Sequence, residues 1–280
     1  MVDIIQNYAT LCYQQWKPKP MQRYFVELAY NGSRYHGWQM QPNAPTVQSA
    51  LETAIKTITG KDFETTGAGR TDTGVHARFF VAHMNSDHPL FSNPKQLVYK
   101  INCVLPVDIV VHQIYPVRPD AHARFSALSR TYEYTISRVK DPFYHDFSWY
   151  YTRPLNVAAM NLASAMLKEI NDFTSFSKLH SDVKTNHCQV ADAGWSENPD
   201  KLIFSIQADR FLRNMVRALV GTLINVGLQK ISPEDFKTIA LKKDRRLAAF
   251  SAPACGLSLT AIAYPTQIRI PDNHSKDKQH

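Results

Sequence analysis

Twice along this chain the hydrophobic pattern runs in the same order: strand, helix, strand and strand. Residues 23–30 alternate as a strand, with Tyr24, Val26 and Leu28 on one side, because successive strand side chains point to opposite faces. Asn31 and Gly32 follow as a turn. Thr46 is the expected N-cap of a helix with the apolar stripe Val47, Leu51, Ala54 and Ile58, and Gly60 ends it. Residues 63–67 and 78–84 read as strands around a glycine-rich loop, 93–103 as a helix and 109–115 as a strand. After a segment rich in proline and small residues, 116–123, the order recurs. Residues 130–139 read as a strand, 156–169 as a helix, 201–208 as a strand, 211–227 as a long helix and 257–263 as a strand. The pattern predicts an α+β fold of two related domains, each a mixed or antiparallel sheet backed by helices.

The expected divisions are an N-terminal extension (1–22), an N-terminal α+β domain (23–118), a C-terminal α+β domain (119–265) and a flexible polar tail (266–280). Residues 4–16 carry the pattern of one short amphipathic helix, broken by Lys17-Pro18-Lys19-Pro20. With 280 residues, the chain can bury about three-quarters of its unfolded surface, so its core needs no disulfide or metal staple. At 44% hydrophobic and 20% charged residues it is neither a disordered chain nor a collagen.

The net charge of +8 favours a polyanionic partner. It divides as +3 up to Arg118 and +5 after it, which suits a long basic groove better than a basic tail. Cys12, Cys103, Cys188 and Cys255 are at least 67 residues apart, too far for a CxxC ligand pair. That spacing, with no signal-peptide pattern and no span-length apolar run, predicts a soluble cytoplasmic protein with no membrane contact.

The segment from Gly67 to Ala77 is the most unusual. Three glycines within eight residues mark special backbone or close approach by a ligand. It lacks the Gly-Lys-Ser/Thr of a phosphate loop. Asp72, its one carboxylate, sits between two threonines; it either caps a turn or does chemistry. Arg210, Arg213 and Arg217 are spaced to share one helix face. Arg217, set among apolar residues, either snorkels to solvent or pairs with a buried carboxylate, for which Asp72 is the candidate. Such a pair favours the ionised carboxylate. Alternation places Arg130, Tyr132, Tyr134 and Ile136 on one strand face, as base stacking and phosphate contact require and as ordinary tyrosine packing also allows. His76, His83 and His88 lack the spacing of a metal motif, and a loop-orienting role for His76 is preferred. Neither a Gly-x-Ser-x-Gly elbow nor a Rossmann fingerprint occurs.

Together these segments resemble the tRNA pseudouridine synthase A family over roughly residues 23 to 264. The resemblance rests on Tyr30-Asn31-Gly32 through Gly37-Trp38-Gln39, Thr46-Val47-Gln48 with Leu51-Glu52, and Gly67 through Ala77. It continues in Ala123-Arg124-Phe125, Arg130-Thr131-Tyr132, Phe211 through Arg217 with Gly221, Ala252-Pro253 and Gly256-Leu257. The 1–22 extension departs from the family. The resemblance implies conversion of uridine to pseudouridine in the anticodon stem-loop of tRNA, at positions 38 to 40. It implies a homodimer with a basic cleft, and no cofactor or metal. Asp72 would be the catalytic aspartate, with Tyr132 packed on the target base, Arg217 paired to Asp72, Leu257 lining the uracil pocket and Arg70 facing the RNA. Arg124, Phe125, Arg130, Lys184, Arg210 and Arg213 are the further residues expected to bind RNA. Two rival readings remain at this point: a tRNA-binding protein without chemistry, and a hydrolase of RNA bases or nucleosides.

Overall fold

The structure is a computed structural model, described for residues 21–178 and 185–270. The expected helix over 4–16, the tail beyond 270 and Lys184 lie outside those residues. The first half contributes β1 (Gln22–Tyr30), α1 (Val47–Thr59), β2 (Thr66–Gly67), β3 (His76–Ser86), α2 (Pro94–Val104) and β4 (Ile109–Val117). The second contributes β5 (Ser129–Ser137), β6 (Trp149–Tyr150), α3 (Val157–Ala165), β7 (Val190–Glu197), β8 (Lys201–Ala208), α4 (Met215–Gly227), α5 (Pro233–Leu241) and β9 (Leu257–Ala263).

The strands form one sheet in the order β4-β1-β3-β9-β5-β8-β7, with β2 on β3 and β6 on β5. This α+β architecture corrects the expectation of a separate sheet in each half. The join is a short parallel pairing of β3 with β9, His76 opposite Ser258 and Ala77 opposite Leu259. Each half nevertheless keeps its own core. Phe25, Leu28 and Phe80 pack with Leu51 and Ile55 of α1 and Leu97 and Ile101 of α2. Tyr134, Phe204 and Ile206 pack with Leu219 and Leu223 of α4 and Phe236 of α5. Tyr132 packs against both cores, so the boundary between them runs past its ring.

Local chemistry explains most element ends. The Thr46 hydroxyl accepts from the Ser49 N–H at 3.2 Å, and Gly60 closes α1 in the left-handed region at φ +73°. Three expectations shift. The long helix begins at Met215, not Phe211, because Asn214 stands before it at φ +66°. Arg210 and Arg213 therefore precede the helix and do not share a helical face with Arg217. The helix expected over 156–169 ends at Ala165 and finishes as a 3₁₀ turn, Met166–Glu169. The tail, expected to fray from Thr266, instead forms the 3₁₀ turn Thr266–Ile268. The Arg118 N–H donates to the Ile268 carbonyl at 3.0 Å, and Ile268 is buried. Two elements carry weak signals. Strand β7 is built partly on Ala191, Asp192, Ala193 and Gly194, poor strand formers held by pairing with β8. Helix α5 starts with the capping box of Ser232 and Asp235 around Pro233. No helix among the described residues is long and apolar enough to cross a membrane.

Candidate active site

The loop between β2 and β3 carries Asp72, and the first half of the chain holds it by contact with its backbone. Gly37 adopts φ +86°, and a Cβ there would lie 2.2 Å from the Thr71 carbonyl oxygen. A Cβ on Gly32 would lie 2.0 Å from the Val75 carbonyl oxygen. The two turns therefore meet backbone to backbone, which only glycine permits. Hydrogen bonds complete the seat. The Tyr30 and Thr71 hydroxyls are 2.9 Å apart, and the Gly74 N–H donates to the Tyr35 carbonyl at 3.2 Å. The Gly32 N–H donates to His76 Nδ1 at 3.0 Å. That bond makes Nδ1 the acceptor, so Nε2 carries the proton and donates to the Cys255 carbonyl at 3.2 Å. Buried His76 thus ties the loop to the second half, and burial lowers its pKa below the ordinary imidazole value.

The second half supplies the cations. Arg217 Nη1 lies 3.6 Å from Asp72 Oδ2, and Arg213 Nε lies 3.6 Å from Asp72 Oδ1. Both Asp72 and Arg217 have side chains only 21% exposed. Arg217 is fixed twice to one residue: its Nε donates to the Ala252 carbonyl at 2.7 Å, and its own carbonyl accepts from the Ala252 N–H at 2.9 Å. Gly221, one turn later, lets α4 approach this segment, since a Cβ there would lie 1.9 Å from the Phe250 carbonyl oxygen.

Tyr132 stands at a register shift in the pairing of β5 with β9, opposite Leu259. A bulge of this kind re-aims a side chain. Its ring meets Phe211 edge-on, with centroids 5.0 Å apart at 84°. Burial, with the nearby Asp72 charge adding to it, pushes the Tyr132 phenol up to about 12. Leu257 lies opposite Tyr134 in the same pairing and is buried in the second core.

Around this centre Arg70 and Arg124 are exposed, and Arg210 is half-buried. The Arg124 pKa is lowered first by desolvation, then by the charges of Arg70 and Arg210, so the three stand close enough to repel. Phe125, beside them, is 75% exposed. Arg130, expected among the RNA contacts, is bonded within the protein. Its guanidinium donates to the carbonyls of Ala127 at 3.2 Å, Asp209 at 2.7 Å, Ala68 at 3.2 Å and Arg124. Those donors are committed to backbone, so Arg130 fastens three backbone segments together. Sequence reasoning missed Phe211 as a partner of Tyr132 and Arg213 as a partner of Asp72. The aromatic residue inside the arginine run, directly after Arg210, was the available signal for the first. Among the described residues no group of three or more His, Cys, Asp or Glu could hold a metal ion.

Fold and site together define an α+β protein with one carboxylate set among arginines at the boundary of two cores. Comparison with known proteins gives this class its family. A family model described as tRNA pseudouridine synthase matches residues 169–265. A tRNA pseudouridine synthase A of Porphyromonas gingivalis is 49% identical over 250 residues, covering 89% of this chain and 99% of that protein. Proteins of the same name from Bacteroides fragilis and Moorella thermoacetica are 48% and 41% identical. They cover 89% and 85% of this chain, and 98% of each relative is matched. The chain belongs to the tRNA pseudouridine synthase family.

Proposed function

We propose that this isomerase of tRNA uridine acts on the anticodon stem-loop, at positions 38 to 40, with Asp72 as its catalytic carboxylate and without a cofactor or metal. The reaction turns uridine into pseudouridine: the N1–C1′ bond breaks, the uracil turns, C5 bonds to C1′, the C5 proton leaves to solvent and N1 takes up a proton. The product is an isomer of the substrate and the change is redox-neutral. The observation that carries the reading is the Asp72 carboxylate, held 3.6 Å from each of two guanidinium groups.

In this reading the target base leaves its stack at a cost of a few kcal/mol. Arg70, Arg124 and Arg210 offset that cost through phosphate contacts, and Arg70 helps keep the duplex open. Tyr132 packs on the extruded uracil and Leu257 lines its pocket. Ionised Asp72 then attacks C1′ or removes a proton from C2′. Exclusion of water keeps the sugar from hydrolysis and the free uracil in place. A base hydrolase is disfavoured because both groups paired with Asp72 are cations, whereas glycosidases set two carboxylates across the bond. The halves 23–118 and 119–265 act as the two walls of the cleft, and the protein works as a cytoplasmic homodimer.

The test is tritium release from tRNA carrying 5-³H-uridine, with chelator present. Wild type is expected to release tritium, and Asp72→Asn to bind tRNA and release none. Equal release by Asp72→Asn would remove Asp72 from the mechanism, and free uracil among the products would favour hydrolysis.

A further inference from the structure

The two arginines on Asp72 are not equivalent. Arg217 is only 21% exposed, anchored to the Ala252 carbonyl through Nε, and carried on a helix packed in the second core. Arg213 is 55% exposed and precedes that helix. Its backbone is pinned, since its carbonyl accepts from the Lys178 N–H at 3.1 Å. Among the described residues its side chain has one partner, Asp72 Oδ1, at 3.6 Å, a separation beyond hydrogen-bond length that the Arg217 contact shares, so exposure and the missing anchor are what set Arg213 apart. An exposed ion pair with that geometry is weak and easily exchanged.

We propose that Arg213 holds Asp72 Oδ1 in the free enzyme and passes to an RNA phosphate when tRNA binds, so that binding itself frees the carboxylate oxygen. The inference rests on Asp72 being the catalytic carboxylate. Either route open to Asp72 is favoured when a second guanidinium no longer stands beside the carboxylate, because each nearby cation lowers its basicity and nucleophilicity. Arg217 keeps Oδ2, so Oδ1 is the oxygen that can be released. A phosphodiester is the natural receiver, because two of its oxygens match the planar guanidinium fork. Arg210, three residues earlier, belongs to the arginine group at the rim, where phosphates are drawn. Arg213 is thus a positioning residue with two stations, and the carboxylate stays paired until substrate displaces it.

A double-mutant cycle on tRNA binding tests the exchange, using full-length tRNA already converted to product so that no variant turns over. In the Arg213 background, Asp72→Asn should tighten binding roughly three- to fivefold, the scale of an exposed ion pair that no longer has to break. In the Arg213→Gln background the same Asp72→Asn change should give almost no gain. Arg213→Gln alone should weaken binding and lower the salt slope by about one phosphate contact, with Arg213→Lys recovering part of both. An equal gain from Asp72→Asn in both backgrounds would mean simple repulsion between Asp72 and RNA, and would overturn the exchange. So would an unchanged salt slope in Arg213→Gln. Tritium release by Asp72→Asn separately tests the catalytic role, so an inactive Asp72→Asn with no coupling rejects the exchange alone.

Discussion

The two halves of the molecule place their parts of the site by different means. The first half sets Asp72 by close backbone contact at Gly32 and Gly37, by the Tyr30–Thr71 hydroxyl pair and by the Gly32 N–H donating to His76. Little there can move without collision. The second half sets its cations by anchoring single side chains: Arg217 on the Ala252 carbonyl, and Arg130 on four carbonyls from three segments. The first device fixes a position through packing density. The second fixes charge while leaving neighbouring arginines at the surface. In the proposed function this difference is useful: a reacting carboxylate needs a rigid seat, and cations that grip a polyanion need reach.

The sharpest way to break this contrast is Arg217→Ala. Turnover is expected to fall by about 10²–10³, as on losing a preorganised electrostatic partner, with a much smaller loss of tRNA binding. Single-turnover tritium release and filter binding read the two effects. If binding alone suffered, Arg217 would be a phosphate contact and its service to Asp72 would be wrong. Next comes Gly37→Ala, which strikes the other half. Its Cβ would collide with the Thr71 carbonyl and its φ is positive, so denaturant unfolding should show a loss of about 2–3 kcal/mol. Tritium release should fall with the displaced loop even where the protein remains folded. Unaltered stability would show that the loop seat is looser than its backbone contacts imply.

The smallest effect concerns acid. Burial lowers the pKa of His76, and it takes His83 to about 4, from an ordinary value near 6.5. The folded state therefore binds fewer protons than the unfolded state below about pH 6.5, and stability falls as pH drops from there toward 4. Buried His83 should account for a loss on the order of 2 kcal/mol between pH 7 and pH 4. Denaturant midpoints across that range measure it, and His83→Gln should flatten the slope. A slope left unchanged by His83→Gln would assign the acid sensitivity elsewhere.

Much of the site is legible in the order of residues alone. Three glycines around one aspartate mark the loop, and a single arginine inside an apolar helix must either snorkel to solvent or pair with an anion. Those signals are local: a backbone constraint in one case, an unpaired charge in the other. The bonding of Arg130 is not legible, because an arginine on a strand face looks the same whether it meets phosphate or carbonyls as distant as those of Ala68 and Asp209. Arg213 escapes for a related reason: it is expected only as an RNA contact, and it reaches Asp72 from the turn before α4, next to the left-handed Asn214.

By itself, then, the sequence determined which segments become strands and helices in most of the chain, and which residue types could do chemistry. It did so through alternation, capping and the shortage of acceptable homes for glycine and buried charge. Tertiary structure decided that the halves share one sheet, joined where His76 and Ala77 meet Ser258 and Leu259. It also decided which arginines face the carboxylate. Both outcomes depend on contacts between residues more than a hundred positions apart, and no local pattern encodes the register of such a pairing.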